Sequence, residues 1–163
     1  AYVERSPCPS VEFLAAVGRS CERVTQVNDL GAVEDVIFKV SLCDPRGTER
    51  HVLPHLADLR DRHQVVVSGS IWLDVMHQDA NKGVGLFAVQ QALGLGPEHT
   101  MAFGDYLNDL PMMSQAYWSF AVENAHPDLK QAARFQARSN NEYGVMHAIR
   151  EHVFGATGTW RRS

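Results

Sequence analysis

Residues 100–113 read TMAFGDYLNDLPMM: a short apolar run, a glycine, two aspartates and an asparagine within five residues, then apolar residues again. TMAF predicts a strand. NDLPMMSQAYW (108–118) predicts the helix after it, with Asn108 at the N-cap and Pro111 in the first turn, where a missing N–H is tolerated. Gly104 gives the backbone freedom to turn between the two. In an open parallel sheet ligands bind at the carboxyl ends of the strands, and Asp105 would project beyond such an end. One residue suffices to cap a helix; this turn carries three candidates.

The pattern continues on both sides. Downstream, SFAV (119–122) predicts a second strand and HPDLKQAARF (126–135) a helix with Pro127 at its first position. FQARS (135–139) predicts a third extended run, and Asn140 or Asn141 precedes a final helix, EYGVMHAIREHVF. Upstream, Asn81 caps a helix carrying Val84, Ala88 and Ala92 on one side and Leu86, Val89 and Leu93 on another, stopped by Gly94. Short apolar strands alternating with helices indicate a parallel sheet covered on both faces. Before Asp79 the pattern is irregular: a helix (SVEFLAAVGRS), a strand (VIFKVSLC), a turn (DPRGT), a helix (VLPHLADLRD) and a strand pair (QVVVSGS, IWLDVMH). That half reads as a small α+β domain.

Composition narrows the function classes. With 163 residues, 45% of them hydrophobic and 21% charged, the chain can bury a real core. A formal net charge of −4 with interspersed signs leaves no footprint for nucleic acid and no polybasic membrane patch. Cys8, Cys21 and Cys43 are too few and too irregular for a disulfide framework or zinc knuckle, and are read as reduced thiols of a cytoplasmic protein. No run approaches the roughly 18 apolar residues of a membrane span. The chain begins at Ala1 in mid-pattern, which reads as a processed or truncated piece.

A carboxylate at a strand end suits a hard cation such as Mg²⁺, which takes one or two protein carboxylates and fills its other positions with water and phosphate oxygens. Asn108 could donate to a phosphate, and Asp109 could orient metal-bound water; plain capping is the alternative. Lys82 falls in the first turn of the Asn81 helix, where the helix dipole disfavours a cation. An anion in front of it explains its position, and a solvated surface lysine is the alternative.

Together these residues carry a family resemblance. NKGVGLFAVQQALGLGPEHTMAFGDYLNDLPMMSQAYWSFAVENAHPDLKQAA, followed by SNNEYGV, resembles the C-terminal half of a haloacid dehalogenase superfamily phosphatase of the Cof-type (class IIB) sugar-phosphatase branch. The resemblance runs from about Trp72 to Val153: a lysine-glycine helix start, GDxxND before a methionine pair, a strand leading to Asn124-Ala125, and a late Asn before Gly-Val. It implies an α/β fold, a HAD-like Rossmannoid parallel-sheet core preceded by an α+β cap. It also implies that Lys82 pairs with a nucleophilic aspartate and the substrate phosphate, that Asp105 ligates Mg²⁺, that Asn108 contacts the phosphoryl group and that Asp109 supports the metal site from behind. Asn124 would lie near the phosphate pocket.

The family's nucleophile motif, D-x-D-G-T, is absent from these residues. The nearest stretch, VIFKVSLCDPRGT, brings Asp44, Gly47 and Thr48 after a strand but has Arg46 where the second aspartate belongs, with Ser68 as the accompanying motif-two serine. Only thirteen residues (69–81) separate Ser68 from Lys82, and IWLDVMH occupies them, leaving no room for a parallel crossover of a dozen or more. Asp44 is therefore read as a polar turn. The chain is expected to be most of a cap (1–78), the last half of a catalytic core (79–155) and a flexible tail (156–163). Intact, it would be a Mg²⁺-dependent hydrolase of small phosphorylated metabolites acting through an aspartyl-phosphate; alone it would be inactive. The competing expectation is a catalytically dead HAD-like domain serving in binding or assembly. An exposed apolar sheet edge would favour self-association. His51 and His55 read as a surface or partly buried pair, Trp72 and Trp118 as core or interface residues, Trp160 as tail, Met112 and Met113 as packing, and Glu123 as a pocket-rim candidate.

Overall fold

A computed structural model describes residues 1–5 and 10–155; the expectations for Cys8 and for the tail 156–163 with Trp160 lie outside the described residues. Packing divides the chain into two units, Ala1–Ile37 and Phe38–Ser163, and this boundary falls inside the stretch 1–78. In the first unit, β1 (Tyr2–Glu4) is followed by helix α1 (Val11–Ser20) and by β2 (Thr25–Val27), which pairs with β1 in parallel. Ser10 caps α1, its hydroxyl accepting the Phe13 N–H at 3.1 Å.

The second unit holds two sheets. The first is antiparallel, in the order β3-β5-β4, with β3 spanning Lys39–Cys43, β4 His63–Gly69 and β5 Trp72–His77. Between β3 and β4 lie the short helix α2 (Thr48–His51) and a 3-10 stretch, Leu53–Leu59. The expected α-helix over 52–61 does not form. Pro54 has no N–H to give the preceding turn, so α-geometry ends at His51 and the chain tightens, with a kink at Leu56. Val67 and Leu73 are buried in this sheet. Asp74 alternates to the opposite face, where it accepts from Ser41 Oγ at 2.6 Å and pairs with Lys39 at 3.2 Å.

The second sheet is parallel and follows chain order: β6 (Met101–Gly104), β7 (Trp118–Val122), β8 (Phe135–Ala137). Helix α3 (Lys82–Leu93) precedes it, α4 (Leu110–Met113) and α5 (Pro127–Ala132) connect its strands, and α6 (Gly144–Ile149) follows. This is the expected α/β architecture. Its core centres on Phe120, Ala121, Val122, Met113 and Leu129, with the Phe103 and Phe135 rings each stacked 5.1 Å from Phe120 and Trp118 stacked on Phe135 at 5.4 Å. Met112 and Met113 pack as expected, and Trp72 and Trp118 are half-buried.

Three expectations about these elements change. Asn81 caps α3 through Val84 N–H at 3.0 Å and Gly94 ends it at φ +65°, but of the two apolar stripes Leu86 packs against the core while the rest face outward. Phe87, Val89 and Leu93 are exposed, whereas Gly83 and Gln90 are buried. A Cβ on Gly83 would lie 2.6 Å from the Pro111 carbonyl oxygen, so only glycine lets the helices approach, and Gln90 donates to Thr100 Oγ1 and the Gln115 carbonyl, both at 2.8 Å. Helix 108–118 is reduced to a 3-10 turn, Leu107–Asp109, and the single turn of α4, with no capping by Asn108. The N–H groups of Tyr117 and Trp118 are drawn instead to the carbonyls of Pro97 and Thr100, at 2.9 and 3.2 Å, which feeds the chain into β7. The final helix is also broken. A 3-10 turn (Asn140–Glu142) leads through Tyr143 at φ 56° into α6, which ends in a π-turn, Arg150–Phe154.

Candidate active site

The pairing of Gly104 with Ala121 and of Val122 with Ala137 brings the loops after all three parallel strands to one edge of the sheet. Asp105, Asn124 and Ser139 leave the strands at that edge. The turn after β6 is organised by Asp109, which is 3% exposed. Its Oδ1 pairs with Lys82 Nζ at the start of α3, and its Oδ2 accepts the N–H groups of Asp105 at 2.9 Å and Tyr106 at 3.4 Å. Asp109 is the anion in front of Lys82. A charged carboxylate taking two backbone N–H groups and an ammonium has its lone pairs occupied, which is the condition for burying it.

Gly104 has a role different from the expected freedom to turn. A Cβ there would lie 2.7 Å from Asp109 Cβ, so the position admits glycine because the aspartate closes over the strand end.

Asp105 itself is exposed, and among the described residues its carboxylate has no hydrogen bond or ion pair; only its main chain is tied, the carbonyl accepting His126 N–H at 2.8 Å. The Asn108 amide, half-buried in the same turn, likewise has no protein partner among the described residues. No group of three or more His, Cys, Asp or Glu side chains able to hold a metal occurs among the described residues. One uncommitted carboxylate backed by a committed one fits a hard cation that takes few protein ligands and completes its sphere with water and phosphate.

Asn124 is exposed and already employed. Its Oδ1 accepts Ser139 Oγ and Asn140 N–H, both at 3.1 Å, and its Nδ2 donates to Asn140 Oδ1 at 2.9 Å, which pins the loop after β8 to the end of β7. Glu123, next to it, is exposed. His51 is half-buried and His55 exposed.

Asp44 lies elsewhere. It follows β3, which runs antiparallel to β5, so it does not end a strand of the parallel sheet. Its carboxylate accepts the Arg46 N–H at 2.9 Å and the Arg46 guanidinium at 2.7 and 3.0 Å, and these bonds hold its pKa down to about 2. The reading of a strand followed by a polar turn agrees with this geometry.

Two neighbours of the carboxylate turn escaped the sequence. His126, the cap of α5, packs its ring edge-on to Tyr106 at 5.3 Å, and Glu49 of α2 reaches His126 Nε2 at 3.8 Å. The dipeptide His126-Pro127 at the next strand end was a usable signal for the first. Glu49 gave none, because its contact comes from an element far away in sequence.

The pattern of the haloacid dehalogenase-like hydrolases matches residues 17–149. The chain belongs to that family. The Bacillus subtilis protein YxeH is 38% identical over 119 residues, which cover 72% of this chain and 44% of YxeH. The Escherichia coli 5-amino-6-(5-phospho-D-ribitylamino)uracil phosphatase YbjI is 33% identical over 129 residues, covering 78% of this chain and 47% of YbjI. Among solved structures, SMU.1108c of Streptococcus mutans superimposes with a TM-score of 0.81 at 27% identity, over 91% of this chain and 56% of that one. The HAD subclass IIB sugar phosphatase BT4131 shares the fold, with a TM-score of 0.69 over 87% of this chain and 54% of BT4131, at 21% identity. The Cof-type resemblance agrees with these relatives. This HAD-like chain spans about half the length of the curated relatives it matches. Among its described residues no helix is long and apolar enough to cross a membrane.

Proposed function

We propose that this chain is part of a cytoplasmic, Mg²⁺-dependent phosphomonoester hydrolase acting on small, sugar-phosphate-like metabolites through an aspartyl-phosphate intermediate. The observation that carries this reading is the division of labour at the β6 turn: Asp109 satisfies the backbone and Lys82, and the Asp105 carboxylate is left without a partner among the described residues. Asp105 would hold Mg²⁺, which when bound would neutralise phosphoryl charge. Lys82 would contribute a fixed positive charge facing the phosphoryl oxygens, and Asn108 an amide donor to them. Asp109 would keep Lys82 and the Asp105 main chain in position, and Asn124 would shape the phosphate pocket by holding the Ser139–Asn140 turn. Phosphoryl transfer needs positioned positive charge and donors more than elaborate covalent chemistry, and these residues supply that set.

In this reading residues 1–78 belong to the cap domain and 79–155 to the catalytic core, and the nucleophilic aspartate is not among the 163 residues, which contain no D-x-D-G-T. That absence also favours a second reading, a catalytically dead domain kept for binding or assembly. One assay separates the two. With a generic phosphate monoester and Mg²⁺, the full gene product should turn over and lose activity on Asp105→Asn or Lys82→Met, while the 163-residue chain should be inactive. Turnover by the 163-residue chain that disappears in Asp44→Asn overturns the assignment of the nucleophile. An inactive full gene product supports the dead domain.

A further inference from the structure

We propose that the cavity between β8 and α6 is a second binding site, which takes an organic anion with an apolar body. Its lining includes none of Lys82, Asp105, Asn108, Asp109 or Asn124, so it is separate from the carboxylate turn and does not depend on the phosphatase reading.

The cavity measures about 570 Å³, within the ordinary range of small-molecule sites. Its floor is apolar: Phe120, Ala137 and Ala148 line it and are themselves buried. Two backbone features set its walls. At one end Gly144 lies so close to Arg138 that a Cβ would sit 1.9 Å from the Arg138 carbonyl oxygen, which seats the start of α6 on the end of β8. At the other end α6 gives way to the π-turn Arg150–Phe154, a widened helical geometry that recurs at functional sites. Within that turn the His152 ring stands 5.2 Å from Phe120 and 6.1 Å from Phe135, so the turn is anchored to the aromatic core and the recess is part of the packing.

The rim sets the charge of the ligand. Arg138 and Arg150 both line the cavity and are exposed, and among the described residues neither guanidinium has a hydrogen bond or ion pair. Glu151 is the one carboxylate in the lining among the described residues. Two cations against one anion leave the rim net positive. An arginine without an internal partner presents a planar fork of donors that matches a carboxylate, sulfonate or phosphate. The buried floor receives the apolar body of the same molecule. A ligand with several charges would forfeit the floor, and a neutral one would forfeit the arginines.

The test is a fluorescence titration of the full gene product with anilinonaphthalene sulfonate, an apolar aromatic anion, and with its uncharged counterpart N-phenylnaphthylamine. Arg138→Gln/Arg150→Gln should weaken the sulfonate about fivefold at low salt, less at high salt, and leave the neutral dye within about twofold. Two controls keep other surfaces apart. Arg60→Gln/Arg62→Gln makes the same change of charge at exposed positions outside the cavity, and Phe87→Gln alters the exposed face of α3. Both should leave the sulfonate affinity within about twofold of wild type. Absence of sulfonate binding by wild type, an equal loss in the Arg60/Arg62 control, or a loss on Phe87→Gln that the cavity pair does not show overturns the inference. Removal of residues 156–163 should also leave the affinity within about twofold; a tightening of about tenfold or more would assign the cavity to the tail and overturn it as well. Every readout is an affinity, so failure here leaves the phosphatase reading intact.

Discussion

Asp44 and Asp105 each follow the last residue of an apolar strand, β3 and β6, and each opens a tight turn into a short helix. Their carboxylates have opposite fates. That of Asp44 is consumed within its own turn, taking one backbone N–H and two guanidinium nitrogens from Arg46. That of Asp105 takes nothing from the protein among the described residues, because Asp109 has already satisfied the N–H groups of the turn. A turn with one carboxylate spends it on itself. A turn with two can bury one and present the other, and it is the second arrangement that leaves an acceptor for a ligand. The flanking residue decides which occurs: an arginine two positions on closes the Asp44 turn, and an aspartate four positions on opens the Asp105 turn.

The sharpest way to break this comparison is to remove each carboxylate of the β6 turn in turn. Asp109→Ala strands two backbone N–H groups and leaves Lys82 without its partner, and should cost about 3 kcal/mol of unfolding free energy. Asp105→Asn removes the charge of an exposed group with no partner among the described residues and should change stability by no more than about 0.5 kcal/mol. Urea melts of the two variants measure both values. Equal losses would mean that Asp105 also has a structural role, and the proposed division of labour would fail.

A smaller effect is expected at Gly104, where the strand end makes room for Asp109. Gly104→Ala places a Cβ 2.7 Å from Asp109 Cβ, inside any real contact, so the turn must shift. The expected cost is about 2 kcal/mol. Because the strain acts through Asp109 Cβ, which alanine keeps and glycine removes, the double variant Gly104→Ala/Asp109→Gly should lose less than the sum of the two single losses. Strict additivity would show that the glycine serves some other neighbour.

The elements that were legible in the sequence are those fixed by local chemistry. Asn81 and Gly94 bound α3 because a side-chain cap and a left-handed glycine act within a few residues, and the β6–β7–β8 alternation follows from short apolar runs. What was not legible depended on distant partners. Val84, Val89 and Leu93 of the two apolar stripes face outward, because the neighbours that bury α3 are Pro111 against Gly83, Thr100 against Gln90 and the core against Leu86. The helix expected over 108–118 stops after one turn because the carbonyls of Pro97 and Thr100, on the approach to β6, take the N–H groups of Tyr117 and Trp118. Within the site, Lys82, Asp105 and Asp109 could be named from residue type and spacing. That Asp109, and not a ligand alone, is the anion facing Lys82 required the fold, as did the approach of Glu49 to His126.

The weakest effect tests the other half of the comparison. Arg46 holds the Asp44 pKa at about 2 in the folded chain, against 3.8 for the free side chain. A carboxyl whose folded pKa is depressed binds its proton more readily when unfolded. Its stabilisation is therefore complete above pH 3.8 and is lost as pH falls through about 2. The Arg46 side chain that holds it is largely open to solvent, so the effect is screened and small, and it should shrink further in high salt. Urea midpoints of wild type and Asp44→Asn should differ most at neutral pH and converge as the acid titration of Asp44 is completed. A constant gap from pH 7 down to pH 2 would show that the turn is held by the hydrogen-bonding shape of the side chain and not by its charge. The contrast between a neutralised Asp44 and a free Asp105 would then rest on geometry alone.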